Sequence, residues 1–325
     1  MTLDYHLPEL PYVRLRATFR ALEAARLPAF KGSMLRGAFG HALRKAVCTM
    51  GPKQPCETCT LRGPCVHTRL FETFLQGEPP PFLRGLTTAP RPYVFEPLSG
   101  TEEELEAGGT LATDLLLFGQ ATELQAYAVV ALERMAAGGL GPERRPFRLE
   151  EVAYPLPEAD GGGWATGYRA GGASLTGAPF LLAGGLPGGT EPTPERLTLR
   201  FATPTRIRVD GRLQDHLSFR RLAFPMLRRV LELAHCHVPG ATVDWEFQPL
   251  LQRADDVRVS RTDLQWQPLA RYSNRQRRSH SLSGFTGTVE VEGPLEPFLP
   301  LLRAIEVVHV GKGATFGLGK VELSG

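Results

Sequence analysis

His309-Val-Gly-Lys-Gly-Ala-Thr-Phe-Gly-Leu-Gly-Lys320 carries four glycines in nine residues, at positions 311, 313, 317 and 319, and it decides the fold. An apolar stretch of helical period over residues 295–307 precedes it, and a short strand pattern over 320–323 follows. The segment is therefore a helix-to-strand connection. Glycines there allow positive φ and a close approach of the backbone to a ligand, and Lys312 adds a phosphate contact. A nucleotide-binding P-loop fails on spacing. Ala314 stands where the first glycine is required, five residues before Gly319, and Val321 follows Lys320 where Ser or Thr is needed. The plain alternative is a tight turn, but turns seldom need so many glycines.

Working back from this loop, residues 196–202 read as a strand, 218–237 as a long helix and 285–292 as strand. The first half gives strands at 11–20, 93–97, 111–119 and 147–154, with helices at 33–47 and 123–137. That order is βαββαβ, and the second half follows the same plan. The expected fold class is α+β: two tandem ferredoxin-like domains, each with two helices on one face of an antiparallel sheet and the other face open as a platform for a ligand. Residues 158–194 are so rich in Gly and Pro that no long regular element is expected there. They read as a linker between an N-terminal domain, 1–157, and a C-terminal domain, 195–325.

The net charge of +3 hides segregation. Residues 14–69 hold eleven Lys or Arg against two Glu, whereas residues 70–195 hold seven Arg against seventeen acids. Residues 271–280, RYSNRQRRSH, carry four Arg and no acid. Such clustering points to a polyanionic partner; a general preference for Arg over Lys would not leave the middle of the chain acidic. No apolar run is long enough to span a membrane and the N-terminus lacks the pattern of a signal peptide, so a cytoplasmic protein with no membrane partner is expected.

Several segments share a resemblance. The glycine-rich loop resembles the C-terminal signature of the RAMP superfamily of CRISPR-associated proteins. Lys31-Gly-Ser-Met-Leu-Arg-Gly-Ala-Phe-Gly40, Arg91-Pro-Tyr-Val-Phe-Glu-Pro97, Phe201-Ala-Thr-Pro-Thr-Arg206, Arg271-Tyr-Ser-Asn-Arg-Gln276 and Gly284-Phe-Thr-Gly287 look like the repeat-processing endoribonucleases within that superfamily, and they occur in the family's order. The resemblance implies two ferredoxin-like RAMP domains and cleavage of CRISPR precursor RNA within its repeats. The ribose 2′-hydroxyl would attack, leaving a 2′,3′-cyclic phosphate without help from a metal. The competing function is a non-catalytic RAMP subunit that holds guide RNA in an effector complex, whose other subunits would then be partners.

Cyclising cleavage needs proton transfer and stabilisation of charge on the phosphorane, which suits His beside Lys or Arg. The family's catalytic histidine often lies on or near the first helix, which here offers His41, with Lys45 one turn on. Leu35, Phe39, Ala42 and Ala46 would form the buried stripe of that helix. His280 and His309 are the next candidates, while His235 and His237 read as cations near a helix end. RNA would be held by Lys31, Arg36 and Arg44, by Arg271, Arg275, Arg277 and Arg278 with Tyr272 for stacking, and by Gly311, Lys312, Gly313, Gly317 and Gly319.

Cys48, Cys56, Cys59 and Cys65 fall within eighteen residues in the loop after the first helix. In a reducing compartment this clustering favours thiolate coordination of a metal over disulfides. A structural zinc is expected, with an iron–sulfur cluster as the other possibility and His67 able to replace one Cys. Cys236 reads as a small buried hydrophobe.

Overall fold

A computed structural model describes residues 5–51, 53–75, 88–156, 162–171, 194–209, 212–213, 218–273 and 278–325. The chain divides into two compact units, Pro11–Gly184 and Gly185–Gly325, the latter taking in the segment before Pro11.

In the first unit, strand β1 (Tyr12–Ala21) alternates: Val13, Leu15, Ala17, Phe19 and Ala21 are buried, and Tyr12, Arg14, Arg16, Thr18 and Arg20 face the other way. After it come α1 (Gly32–Val47), β2 (Tyr93–Pro97), β3 (Thr110–Phe118), α2 (Gln125–Ala137), β4 (Phe147–Pro155) and β5 (Trp164–Arg169). The sheet runs β2-β3-β1-β4-β5 with every neighbour antiparallel. Leu35, Phe39, Ala128 and Leu132 of the helices share one core with Leu15, Phe19, Phe95, Leu115 and Phe147 of the strands. Each such Leu or Phe contributes roughly 1.5–3 kcal/mol by leaving water.

Strand β5 corrects the expectation for residues 158–194. Trp164, Ala165, Thr166 and Tyr168 extend along β4, and the Arg16 guanidinium lies 3.7 Å from the centre of the Trp164 ring. Aromatic and β-branched residues outweigh Gly167 at this sheet edge. The division between units falls inside the same stretch, but residues 5–10 belong with the second unit rather than the first. There the Tyr5 hydroxyl donates to the Asp244 carbonyl at 2.8 Å and Leu10 is fully buried.

The second unit contains β6 (Arg196–Thr205), α3 (Phe219–His237), α4 (Gln248–Arg253), β7 (Arg258–Gln267), a hairpin of β8 (Ala270–Ser273) and β9 (Arg278–Ser281), β10 (Gly284–Glu292), α5 (Leu299–Val308) and β11 (Val321–Ser324). Its main sheet runs β7-β10-β6-β11, again antiparallel. Helix α3 is entered through Ser218, whose hydroxyl accepts from the Arg221 amide at 3.3 Å. Setting aside α4, the hairpin and the added β5, both units show strand–helix–strand–strand–helix–strand, with the sheet order second, third, first, fourth. Among the described residues, no helix is long and apolar enough to cross a membrane.

Candidate active site

Helix α1 buries Leu35, Phe39, Ala42 and Leu43. Gly40 lies on the same side, where a Cβ would stand 2.1 Å from the Phe71 ring; the glycine makes the notch in which that ring sits. The opposite face carries Gly37, His41 and Lys45 at successive turns, all exposed. Nothing lies within 4 Å of where a Gly37 Cβ would be, so the space beside His41 is open. Arg44 and Lys45 in the last turn also suit the negative end of the helix dipole.

His41 is held below the ordinary histidine range, first by partial burial and then by the positive charges of Lys45, Arg144 and Arg44. Its imidazole is therefore neutral at neutral pH and able to accept a proton, with cations around it for a developing negative charge. Arg144 was not anticipated. It sits at φ +52° in the turn after α2, and the Gly141 amide in that turn lies 3.2 Å from the Met34 sulfur of α1. The Gly138-Gly139-Leu140-Gly141 run signals the turn, but only the packing of α2 beside α1 brings it to His41.

Three cations expected to meet RNA are engaged within the fold. Lys31 is buried and donates to the carbonyls of Gly100 and Glu102 at 2.6 and 2.9 Å. Its burial pulls the ammonium below the usual lysine range. Arg36 lays its guanidinium 4.1 Å from the Phe71 ring centre. Arg44 donates to the Gln54 carbonyl at 2.6 Å. A lysine or arginine at such a position stabilises the loop it grips, which sequence spacing alone does not reveal. Arg275 and Arg277 lie outside the described residues. Arg271 and Arg278 belong to the β8–β9 hairpin, where Arg271 is in register with His280 and Ser273 with Arg278.

The open face of the first sheet is also less cationic than its arginines suggest. Asp114, fully buried, accepts from Arg14 Nη1 at 3.0 Å and from Arg16 Nε at 2.8 Å, while Arg14 also donates to Glu96 at 2.9 Å. Arg20 pairs with Glu150 at 2.6 Å.

The glycine-rich loop follows α5, and all four of its glycines have positive φ. Gly317 and Gly319 are buried, so these two do not present backbone to a ligand. A Cβ on Gly319 would lie 1.8 Å from the Val310 carbonyl oxygen, and one on Gly311 would lie 2.6 Å from that of Arg206. The chain uses this space for itself: Gly319 N–H donates to Pro204, Lys312 N–H to Arg206 and Val310 N–H to Gly319. Tight internal packing thus replaces the expected RNA approach at Gly317 and Gly319, while the Lys312 side chain is exposed. His309 is fully buried with Nδ1 3.0 Å from the Leu318 carbonyl, which removes it as an accessible proton carrier.

The four clustered cysteines are half-buried thiols. Among the described residues, no three His, Cys, Asp or Glu side chains stand together as a ready metal site. Cys56 Sγ faces His67 Nδ1 at 3.7 Å, and Cys48 Sγ turns instead to the Gly51 carbonyl, also at 3.7 Å. Cys236 is half-buried on α3, and burial pushes its thiol up to about 12.

Residues 199–321 match the family model of the CRISPR-associated endoribonuclease Cas6, and residues 10–172 match a model described as an N-terminal domain. No curated protein matches the sequence. Among solved structures, the chain is similar to a Cas6 product complex (19% identity, 98% of this chain and 100% of that one, TM-score 0.54). It is also similar to Cas6 of Thermus thermophilus (17% identity, 97% and 99%, TM-score 0.51). A chain of a partial Cas6-RT-Cas1–Cas2 complex shares 12% identity over 98% of this chain and 46% of its own length, with a TM-score of 0.55.

Proposed function

Because residues 199–321 match the family model of the CRISPR-associated endoribonuclease Cas6, we propose that the chain cuts CRISPR precursor RNA within its repeats through His41 on α1. The observation that carries this reading is the exposed face of α1 on which His41 and Lys45 stand one turn apart beside a glycine that leaves the approach open, with burial and then the charges of Lys45, Arg144 and Arg44 holding the imidazole below its ordinary range. His41 takes the proton from a ribose 2′-hydroxyl as that oxygen attacks the adjacent phosphorus. The bond to the 5′-oxygen breaks, and that oxygen takes a proton from solvent. Lys45 stabilises the charge gathering on the phosphorane oxygens. The products are a 2′,3′-cyclic phosphate and a 5′-hydroxyl. Since the nucleophile belongs to the substrate and is already beside the phosphorus, this route does not call on a metal.

We read each unit as a ferredoxin-like module, a reading supported by the strand order the two share. A similar chain is found in a Cas6 product complex and another in a Cas6-RT-Cas1–Cas2 complex, which fits repeat RNA and CRISPR proteins as partners for this chain.

The test is a single-turnover assay on repeat RNA in magnesium-free buffer containing EDTA, with the product ends analysed. A cyclic phosphate is expected; RNA that stays intact under conditions where it binds would sink the proposal. His41→Ala should cut the rate by about 10² or more with RNA affinity within a few fold. An undiminished rate would move the role to His280.

A further inference from the structure

We infer that the loop after α1 holds one zinc ion through the Cys56, Cys59 and Cys65 thiolates and the His67 imidazole, and that this ion fixes the end of α1 that carries the reactive face. The site does not depend on the cleavage chemistry.

The strongest observation is the Cys56 Sγ to His67 Nδ1 separation of 3.7 Å. Zinc–sulfur bonds near 2.3 Å and zinc–nitrogen bonds near 2.0–2.1 Å, opened to the tetrahedral angle, set sulfur and nitrogen about 3.6 Å apart. The pair already spans one edge of a zinc tetrahedron. His67 is also rigid: it is only 3% exposed, and its ring stacks on Phe71 at 5.4 Å. Phe71 itself stacks on Tyr93 at 6.2 Å and fills the notch at Gly40. A ligand seated in the core in this way keeps its orientation when the metal leaves.

The other two ligands come from the turn that follows Cys56. The Cys59 amide donates to the Cys56 carbonyl at 3.3 Å, the Arg62 amide to Cys59 at 3.2 Å and the Cys65 amide to Leu61 at 3.1 Å. The Cys-x2-Cys spacing is that of a zinc knuckle. Successive tight turns bring the chain round from Cys56 toward Cys65. Binding draws Cys59 and Cys65 onto the Cys56–His67 edge and releases the thiol protons. Cys48, directed at Gly51, stays outside the set.

Residues 49–51 and 53–65 are mostly exposed and lie in turns rather than strands, so little burial holds them. They reach α1 through the hydrogen bond from Arg44 to the Gln54 carbonyl, and Arg44 is one of the charges acting on His41. Four protein ligands leave no open coordination position. The ion is therefore structural, and its influence on cleavage passes through the seating of Arg44.

The test is elemental analysis of the full chain purified without chelator. About one zinc per chain is expected, released by a thiol-blocking mercurial and seen with a colorimetric chelator. Cys59→Ser, Cys65→Ser and His67→Ala should each lower zinc affinity at least about tenfold, and Cys48→Ser should retain the ion. If those variants fold poorly, cobalt(II) exchanged into the wild-type chain gives a second reading: thiolate-to-cobalt charge transfer with tetrahedral ligand-field bands. Zinc retained in His67→Ala and lost in Cys48→Ser would overturn the ligand set. Iron with visible absorption as purified, or a metal-free chain as stable as the metal-bound one, would overturn the zinc site. Cleavage of repeat RNA, measured in parallel, is judged separately.

Discussion

Replacing Gly319 with alanine asks whether the glycine-rich loop serves the fold or the RNA. Gly319 has a φ of +72°, where an L-residue costs roughly 1 kcal/mol or more. The new Cβ would stand 1.8 Å from the Val310 carbonyl oxygen, so two stretches of backbone must part. Parting them strains the bond from Val310 N–H to Gly319 at 2.9 Å and the bond from Gly319 N–H to Pro204 at 3.2 Å. At about 1 kcal/mol for each bond, the second unit should lose about 3 kcal/mol, roughly a hundredfold in its folding equilibrium. Urea unfolding followed by fluorescence of Trp245 and Trp266, both in the second unit, measures this directly. RNA affinity is measured alongside, well below the denaturation midpoint, where it should be little changed. A variant as stable as the parent that no longer bound RNA would refute the internal role and return Gly319 to the ligand.

Three more outcomes follow from the first unit. Lys45→Met removes one of the charges that lower His41, so the acid limb of the rate profile, where protonation of the imidazole stops cleavage, should move to higher pH; an unmoved limb would show that another group titrates. Burial, the larger cause, remains, so the shift should be partial. Gly37→Ala, with nothing within 4 Å of the new methyl, should stabilise α1 by about 0.5–1 kcal/mol in urea unfolding; a loss of stability would mean that the open space is already occupied. Asp114→Ala takes the buried acceptor from Arg14 and Arg16 and should destabilise the first unit by about 3 kcal/mol; a change within 0.5 kcal/mol would mark the cluster as a solvated surface pair.

What sequence could disclose here was set by periodicity. Strand β1 alternates without a break and α1 repeats its apolar residues at helical spacing, so both appear within one or two residues of their expected ends. Strand β7, RVSRTDLQWQ, left no such trace. It lies at a sheet edge with both faces largely exposed, and neither face selects apolar residues. The site divides in the same way. His41 and Lys45 are singled out through the family resemblance, which points to the first helix; helix geometry adds that exposed residues one turn apart share a face. The partners of Lys31, Arg36 and Arg44 are not legible in local spacing, because the carbonyls and ring that engage them come from elsewhere in the unit. Arg144 was missed because it reaches His41 through the packing of α2, a relation that no local spacing encodes.

The same physics changes what the charge pattern means. A basic stretch followed by an acidic one looks like an uncovered cationic surface while the chain is read in line. Once folded, Arg14 meets Glu96 and Asp114, Arg16 meets Asp114, Arg20 meets Glu150, Arg26 meets Glu103 and Arg69 meets Glu123. In each of these pairs the cation comes from the basic stretch and the acid from the acidic one, while Arg145 with Glu23 joins the two stretches in the opposite sense. Segregation in sequence has become complementarity between neighbouring strands and turns of one unit. Pairing of this kind cancels the long-range field that a polyanion would feel and leaves recognition to short-range contacts. For the first unit, the nucleic-acid reading therefore gains nothing from counting its arginines. It stands on the exposed turn-by-turn line of Gly37, His41 and Lys45, where a phosphate can come within hydrogen-bonding reach of an imidazole and an ammonium together.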